Sequence, residues 1–88
     1  LDPIDGTRAL ICGLPSWTTL AALVTGNQAV AGMIDAPVLD ELAIGTEDKT
    51  VLIRRGATAD LRVSGCMSLG EARLATTDPF LFDQSELA

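Results

Sequence analysis

Two carboxylates three residues apart, Asp2 and Asp5, bracket Pro3 and Ile4 and run straight into Gly6 and Thr7. Carboxylate oxygens are the ligands that hard divalent cations select, and Mg²⁺ takes them at about 2.0 to 2.1 Å. Both side chains can converge on one pocket if the chain between them folds back, and Pro3 makes that turn rigid. The backbone carbonyl of Ile4, lying between the carboxylates, offers a neutral oxygen ligand that adds no charge. Gly6 and Thr7 stand where a helix can begin, so their amides can present N–H donors to a phosphate at the end of the helix where the dipole also favours an anion. Thr7 adds a hydroxyl able to orient water. The set suits metal-assisted chemistry on a phosphate ester. The bland alternative is an ordinary capped turn, with Asp5 as helix N-cap and Asp2 solvated.

A strand, a turn and a short helix must position these groups. Pro3 restricts Asp2 to extended geometry and Asp5-Gly6 invites a turn, so the strand carrying Leu1 is expected to end at the motif. TRALIC (7–12) supplies helix formers behind an Asp5 N-cap, and Gly13 before Leu14-Pro15 is a stop signal. Thr18 to Thr25 (TTLAALVT) is apolar and small, which reads as a largely buried strand with a turn at Gly26-Asn27. Ala29 to Asp35 is its partner, Pro37 interrupts, and Glu41 to Gly45 and Thr50 to Arg54 follow, so an antiparallel meander is the economical reading. GATADLRVSG (56–65) reads as a loop with a brief strand at Leu61 to Val63 on the outside of the sheet. Ser68 to Ala72 is a connecting turn, Arg73 to Thr76 resumes a strand, and Thr77 or Asp78 can cap a helix beginning near Pro79.

Composition narrows the partners. The 88 residues make at most one small domain or part of one, and a 48% hydrophobic content predicts folded material. Trp17, Phe80 and Phe82 are the only aromatics, so the core must be built from Ala, Val, Leu and Ile, which is weak glue for an isolated small domain. A net charge of −6 with six scattered basic residues argues against nucleic acid, whose phosphates require clustered Lys and Arg. An acidic protein that handles a phosphate ester needs a cation to invert the local sign. The chain has no His, so neither a histidine nucleophile nor a histidine ligand comes from this stretch. Cys12 and Cys66 show no metal-ligand spacing and are expected to be reduced, mostly buried thiols of a cytoplasmic protein. No apolar run approaches the ~20 residues that span a bilayer, and no basic-then-apolar leader opens the chain, so no membrane partner is expected. The chain begins with Leu, and its first motif starts at the second residue, the pattern of a truncated sequence.

LDPIDGT, followed by a helix, GLP and a small-residue strand, resembles the inositol monophosphatase family, whose hallmark is a DPIDGT-type segment. RALICGLPSWTTLAAL is similar to the family's segment after that motif, and Arg8 with GLPSW most resembles the histidinol-phosphatase branch. VAGMIDAPVLDELAIG is similar to the family's second hairpin, and LATTDPFLF to the strand and helix start that close its first half. The resemblance covers essentially the whole chain, although only the first motif is highly specific. Leu10 stands where an aromatic is common, Thr18 where Gly is common, and GATADLRVSG is shorter than the family's glycine-rich stretch. These departures bear on substrate specificity rather than on the family.

The resemblance implies an α/β fold, a layered α+β sandwich, to which residues 1–88 contribute part of the catalytic domain: mainly antiparallel strands of the first sheet plus short helices. It implies that Asp2 bridges two Mg²⁺ ions, that Ile4 donates its carbonyl to the first and that Asp5 ligates the second. Gly6 and Thr7 would hold the phosphate, and the Thr7 hydroxyl would help to activate the attacking water. An upstream acidic residue and a downstream Asp from a Trp-Asp segment complete the family's site and have no counterpart in this chain. The activity implied is hydrolysis of a small phosphorylated substrate, histidinol phosphate in histidine biosynthesis first and inositol 1-phosphate as the alternative. The family's members commonly form homodimers. The 88 residues alone, lacking those ligands, are expected to be inactive, a non-catalytic metal-binding or interaction module. Among the remaining residues, Trp17 reads as core packing, Asp35 as a turn former, Arg54 and Arg55 as solvated, and Arg8 as the better candidate for a supporting cation or substrate contact.

Overall fold

The computed structural model describes residues 1–76. Six strands form one antiparallel sheet in which every strand lies beside its neighbour in sequence, β1 through β6. They are β1 (Asp2–Asp5), β2 (Thr18–Thr25), β3 (Gln28–Ala36), β4 (Glu41–Thr46), β5 (Thr50–Arg54) and β6 (Ala57–Asp60). The one α-helix among the described residues, α1 (Thr7–Ile11), joins β1 to β2, and a single 3-10 turn occupies Leu69–Glu71. No helix among the described residues is long and apolar enough to cross a membrane.

The meander follows the expected pattern through β5, and β2 and β5 have the bounds that their turn residues predict. Two strands differ. The motif does not end a strand but is one: Asp2–Asp5 pairs along the outside of β2. The outer strand on the far side is Ala57–Asp60, hydrogen-bonded to β5, and not Leu61 to Val63. Its hairpin turns at Arg55 and Gly56, both with positive φ (50° and 81°), the combination that lets a two-residue loop match the twist of its strands. Ser68 to Ala72 is a turn as expected, whereas Arg73 to Thr76 carries no strand. The helix expected near Pro79 lies outside the described residues.

Cross-strand register fixes the two faces. Thr19 opposite Asp35, Ala21 opposite Met33 and Leu23 opposite Ala31 set one side, which continues through Leu42, Ile44, Val51 and Ile53. Leu20 opposite Ile34 sets the other, which continues through Ala43 and Leu52. Both sides are therefore apolar, the composition of a sheet that is covered twice rather than of one with a wet face. Yet Ala36 is the sole buried hydrophobic among the described residues, and Ile34 and Leu23 are 51% and 63% exposed. The described residues supply a single layer with little helix, consistent with a part of the expected fold but not its stacked layers.

Candidate active site

The motif sits where the edge strand β1 turns into α1. Asp2 pairs with Leu20 and Asp5 with Thr18, so three steps along β1 are matched by two along β2. Pro3 and Ile4 together face Thr19, which is a β-bulge. In an unbroken strand, residues three apart point to opposite faces. The extra residue cancels that alternation, and because Leu20 and Thr18 share a face, Asp2 and Asp5 are returned to the same side of the sheet. Pro3, which has no N–H to give the ladder, is accommodated where the ladder is already broken. The Thr19 hydroxyl donates to the Pro3 carbonyl at 2.7 Å and ties the bulge to β2.

Gly6 makes the junction. Its backbone is left-handed (φ 85°, ψ 45°), and a Cβ there would stand 3.4 Å from the Trp17 Cα and 3.7 Å from its Cβ. Gly6, not Asp5, is thus the residue that caps α1, and no side chain hydrogen-bonds to the cap. The capped-turn alternative required Asp5 to satisfy the first amides of the helix, and it does not. Asp5 belongs to the strand, with its carboxylate left to other partners. The helix is short but closed: the Leu10 amide donates to the Gly6 carbonyl at 3.1 Å, and the Leu14 amide to that of Ala9 at 2.8 Å. Trp17 is half-buried against this junction, in keeping with a packing role.

An open cavity of about 600 Å³ lies beside the motif, lined by Asp5, Gly6, Arg8, Cys12, Ser16 and Thr76, among others. Sequence reasoning singled out Asp5, Gly6 and Arg8, but not Ser16 or Thr76, which join the lining of this cavity only through the folding of the chain. Thr19 was also missed, because a threonine in TTLAALVT carries no signal beyond strand propensity. Asp35 is not a turn former; β3 runs through it, and it pairs with Thr19 and Leu42. Arg54 is engaged with Glu41 at 2.9 Å on the adjacent strand. Both cysteines are free, and both are exposed rather than buried, because no second layer covers them among the described residues.

The donors fit a hard cation. Asp2 and Asp5 offer hard carboxylate oxygens with the Ile4 carbonyl between them in sequence, and the one soft group on the adjoining cavity among the described residues is the Cys12 thiol. They are a partial set: no group of three or more His, Cys, Asp or Glu able to hold a metal occurs among the described residues.

The sequence model of the inositol monophosphatase family matches residues 1–82. The chain is 38% identical over 84 residues to the bifunctional phosphatase IMPL2, chloroplastic, of Arabidopsis thaliana, an alignment covering 96% of this chain and 23% of that protein. It is 37% identical over 81 residues to the histidinol-phosphatase of Streptomyces coelicolor, covering 85% of this chain and 30% of that protein. The histidinol-phosphatase of Mycobacterium tuberculosis is 41% identical over 39 residues, 44% of this chain and 15% of the relative. The chain therefore spans less than a third of the length of either of the first two relatives. No solved structure matches it.

Proposed function

From a chain that belongs to the inositol monophosphatase family, we infer a parent protein that hydrolyses a small phosphate monoester with the help of Mg²⁺, and to whose catalytic domain residues 1–88 belong. Phosphatase relatives on both sides of the plant and bacterial divide support the reaction class. The observation that carries the site is the bulge in β1, which brings Asp2 and Asp5 to one side of the sheet directly before α1.

Asp2, Asp5 and the Ile4 carbonyl are the metal ligands of this reading. Bound there, the cation supplies charge neutralisation on the phosphoryl oxygens and lowers the pKa of the attacking water. The Gly6 and Thr7 amides hold the phosphate in this reading, at the left-handed turn where β1 gives way to α1. The Thr7 hydroxyl orients the water for in-line attack on phosphorus. The P–O bond to the substrate alcohol breaks, the alcohol leaves with a proton, and inorganic phosphate remains. Histidinol phosphate is the preferred substrate, since two of the relatives carry the name histidinol-phosphatase, with inositol 1-phosphate second. A homodimer belongs to the same reading, as does a reducing compartment such as the cytoplasm, which suits the two free cysteines. The 88 residues alone hold too few ligands to turn over substrate.

The test is phosphate release by the full-length protein from histidinol phosphate and from inositol 1-phosphate, with Mg²⁺ and after chelation, beside Asp5→Asn. Release that depends on Mg²⁺ and is lost in Asp5→Asn supports the site and ranks the substrates. A folded protein that releases phosphate from neither compound overturns the reading.

A further inference from the structure

The structure assigns Thr19 a positioning role: its hydroxyl holds the β1 bulge that places Asp2 and Asp5 on one side of the sheet. This rests on the metal reading above and adds to it a residue that touches neither metal nor substrate. Thr19 is the single residue of β2 that lies opposite both Pro3 and Ile4. A bulge costs the ladder its regular hydrogen bonds at this point, and Pro3 cannot donate one. The Pro3 carbonyl receives the Thr19 hydroxyl at 2.7 Å instead, a short side-chain bond made within the segment between the two carboxylates. The backbone of Thr19 is itself fixed, because it pairs with Asp35 in β3 and so has strands on both sides. The anchor therefore ties the edge strand to the interior of the sheet. Without it, the extra residue is free to slip along β1, and a slip by one residue sends Asp2 to the opposite face from Asp5. The effect on the metal is indirect but direct in sign: fewer molecules hold both carboxylates on one side, and affinity falls.

Thr19→Val keeps the β-branched shape that a strand accepts and removes the donor, whereas Thr19→Ser keeps the donor and removes a methyl group. In the full-length protein, Mn²⁺ serves as the probe, its binding followed by the loss of the free-ion electron paramagnetic resonance signal. Groups that orient metal ligands from outside the coordination shell are worth about 10- to 100-fold in affinity. Thr19→Val is expected at the low end, about tenfold weaker, with Thr19→Ser within about threefold of the parent. The midpoint of urea unfolding, measured on the same samples, separates this from a structural role. A merely structural threonine would give Val and Ser variants whose Mn²⁺ affinity matches the parent's whatever their stability, and that result overturns the assignment. A parent protein that binds no Mn²⁺, or an Asp5→Asn variant that binds it as well as the parent, overturns the metal reading and the assignment together. Binding in the parent that is lost in Asp5→Asn but unchanged in Thr19→Val overturns the role of Thr19 alone.

Discussion

Replacing Gly6 by alanine separates what the motif costs in stability from what it does. At φ 85° and ψ 45° the backbone is in the left-handed region, where an L-residue with a Cβ pays about 1–2 kcal/mol. The added Cβ would meet Trp17 Cα at 3.4 Å, Trp17 Cβ at 3.7 Å and Ala9 Cβ at 3.9 Å, all ordinary contact distances, so crowding adds little to the conformational cost. Gly13→Ala is the matched control, because its φ is 74° and nothing lies within 4 Å of the new atom. Urea unfolding of the full-length protein should then show both variants destabilised by a similar amount, about 1–2 kcal/mol. Activity should divide them. Gly6 joins Asp5 to Thr7, and relief of its strain rotates the carboxylate relative to the amide proposed to receive the phosphate. Misplacement by about 1 Å can cost as much as 100-fold in rate, so a loss of at least tenfold in Mg²⁺-dependent phosphate release is expected for Gly6→Ala. Gly13→Ala, at the far end of α1, should stay within about threefold of the parent in the same assay. Equal loss of activity in the two variants would refute the reasoning, since the effect would then follow stability and not the geometry of the motif.

Two further substitutions probe the sheet. If the side that carries Met33 and Val51 is covered in the whole protein, Ile44→Asp should destabilise the full-length protein by about 3 kcal/mol or more in urea unfolding, because a charge buried there has no partner. A cost below about 0.5 kcal/mol would mean that this face is open to water. Glu41→Gln removes the ion pair with Arg54 across β4 and β5, whose side chains are 29% and 58% exposed. Solvent screening limits its cost to about 0.5 kcal/mol, and the difference from the parent should shrink in high salt.

The order of strands was legible because turn residues punctuate it. Pro15-Ser16, Gly26-Asn27 and Pro37 bound β2 and β3 closely, and the small apolar run between them is a strand by composition. The edges were not legible, for a physical reason. β6 is ATAD, four residues whose apolar members are only alanines, too short and too weakly hydrophobic to mark a strand, and its pairing follows from a positive φ at Arg55, which sequence statistics do not expect of arginine. β1 escaped for the opposite reason. Pro3 and the Asp5-Gly6 turn signal both argue against strand, and they are right about the irregularity: it is a bulge within the strand rather than its end. Thr19 could not be found at all from its neighbours in sequence, because its hydroxyl acts on a carbonyl sixteen residues away.

The apolar sheet and the partial ligand set lead to the same conclusion about how the site works. Two carboxylates on one side of an edge strand offer hard oxygens, in a chain that already carries a net charge of −6, but cannot by themselves surround a cation. The strand that holds them is anchored to a sheet whose two sides are both apolar, and such a sheet keeps its register when other layers pack on it. On the proposed metal reading, cover for the faces and the further oxygen ligands come from beyond the described residues, in keeping with a chain that spans less than a third of either of its first two relatives. On that reading, folding of the remaining layers and completion of the proposed metal site are one linked process, in which each contact that holds β1 against β2 raises the fraction of molecules able to bind the cation, and each bound cation in turn stabilises the packed sheet.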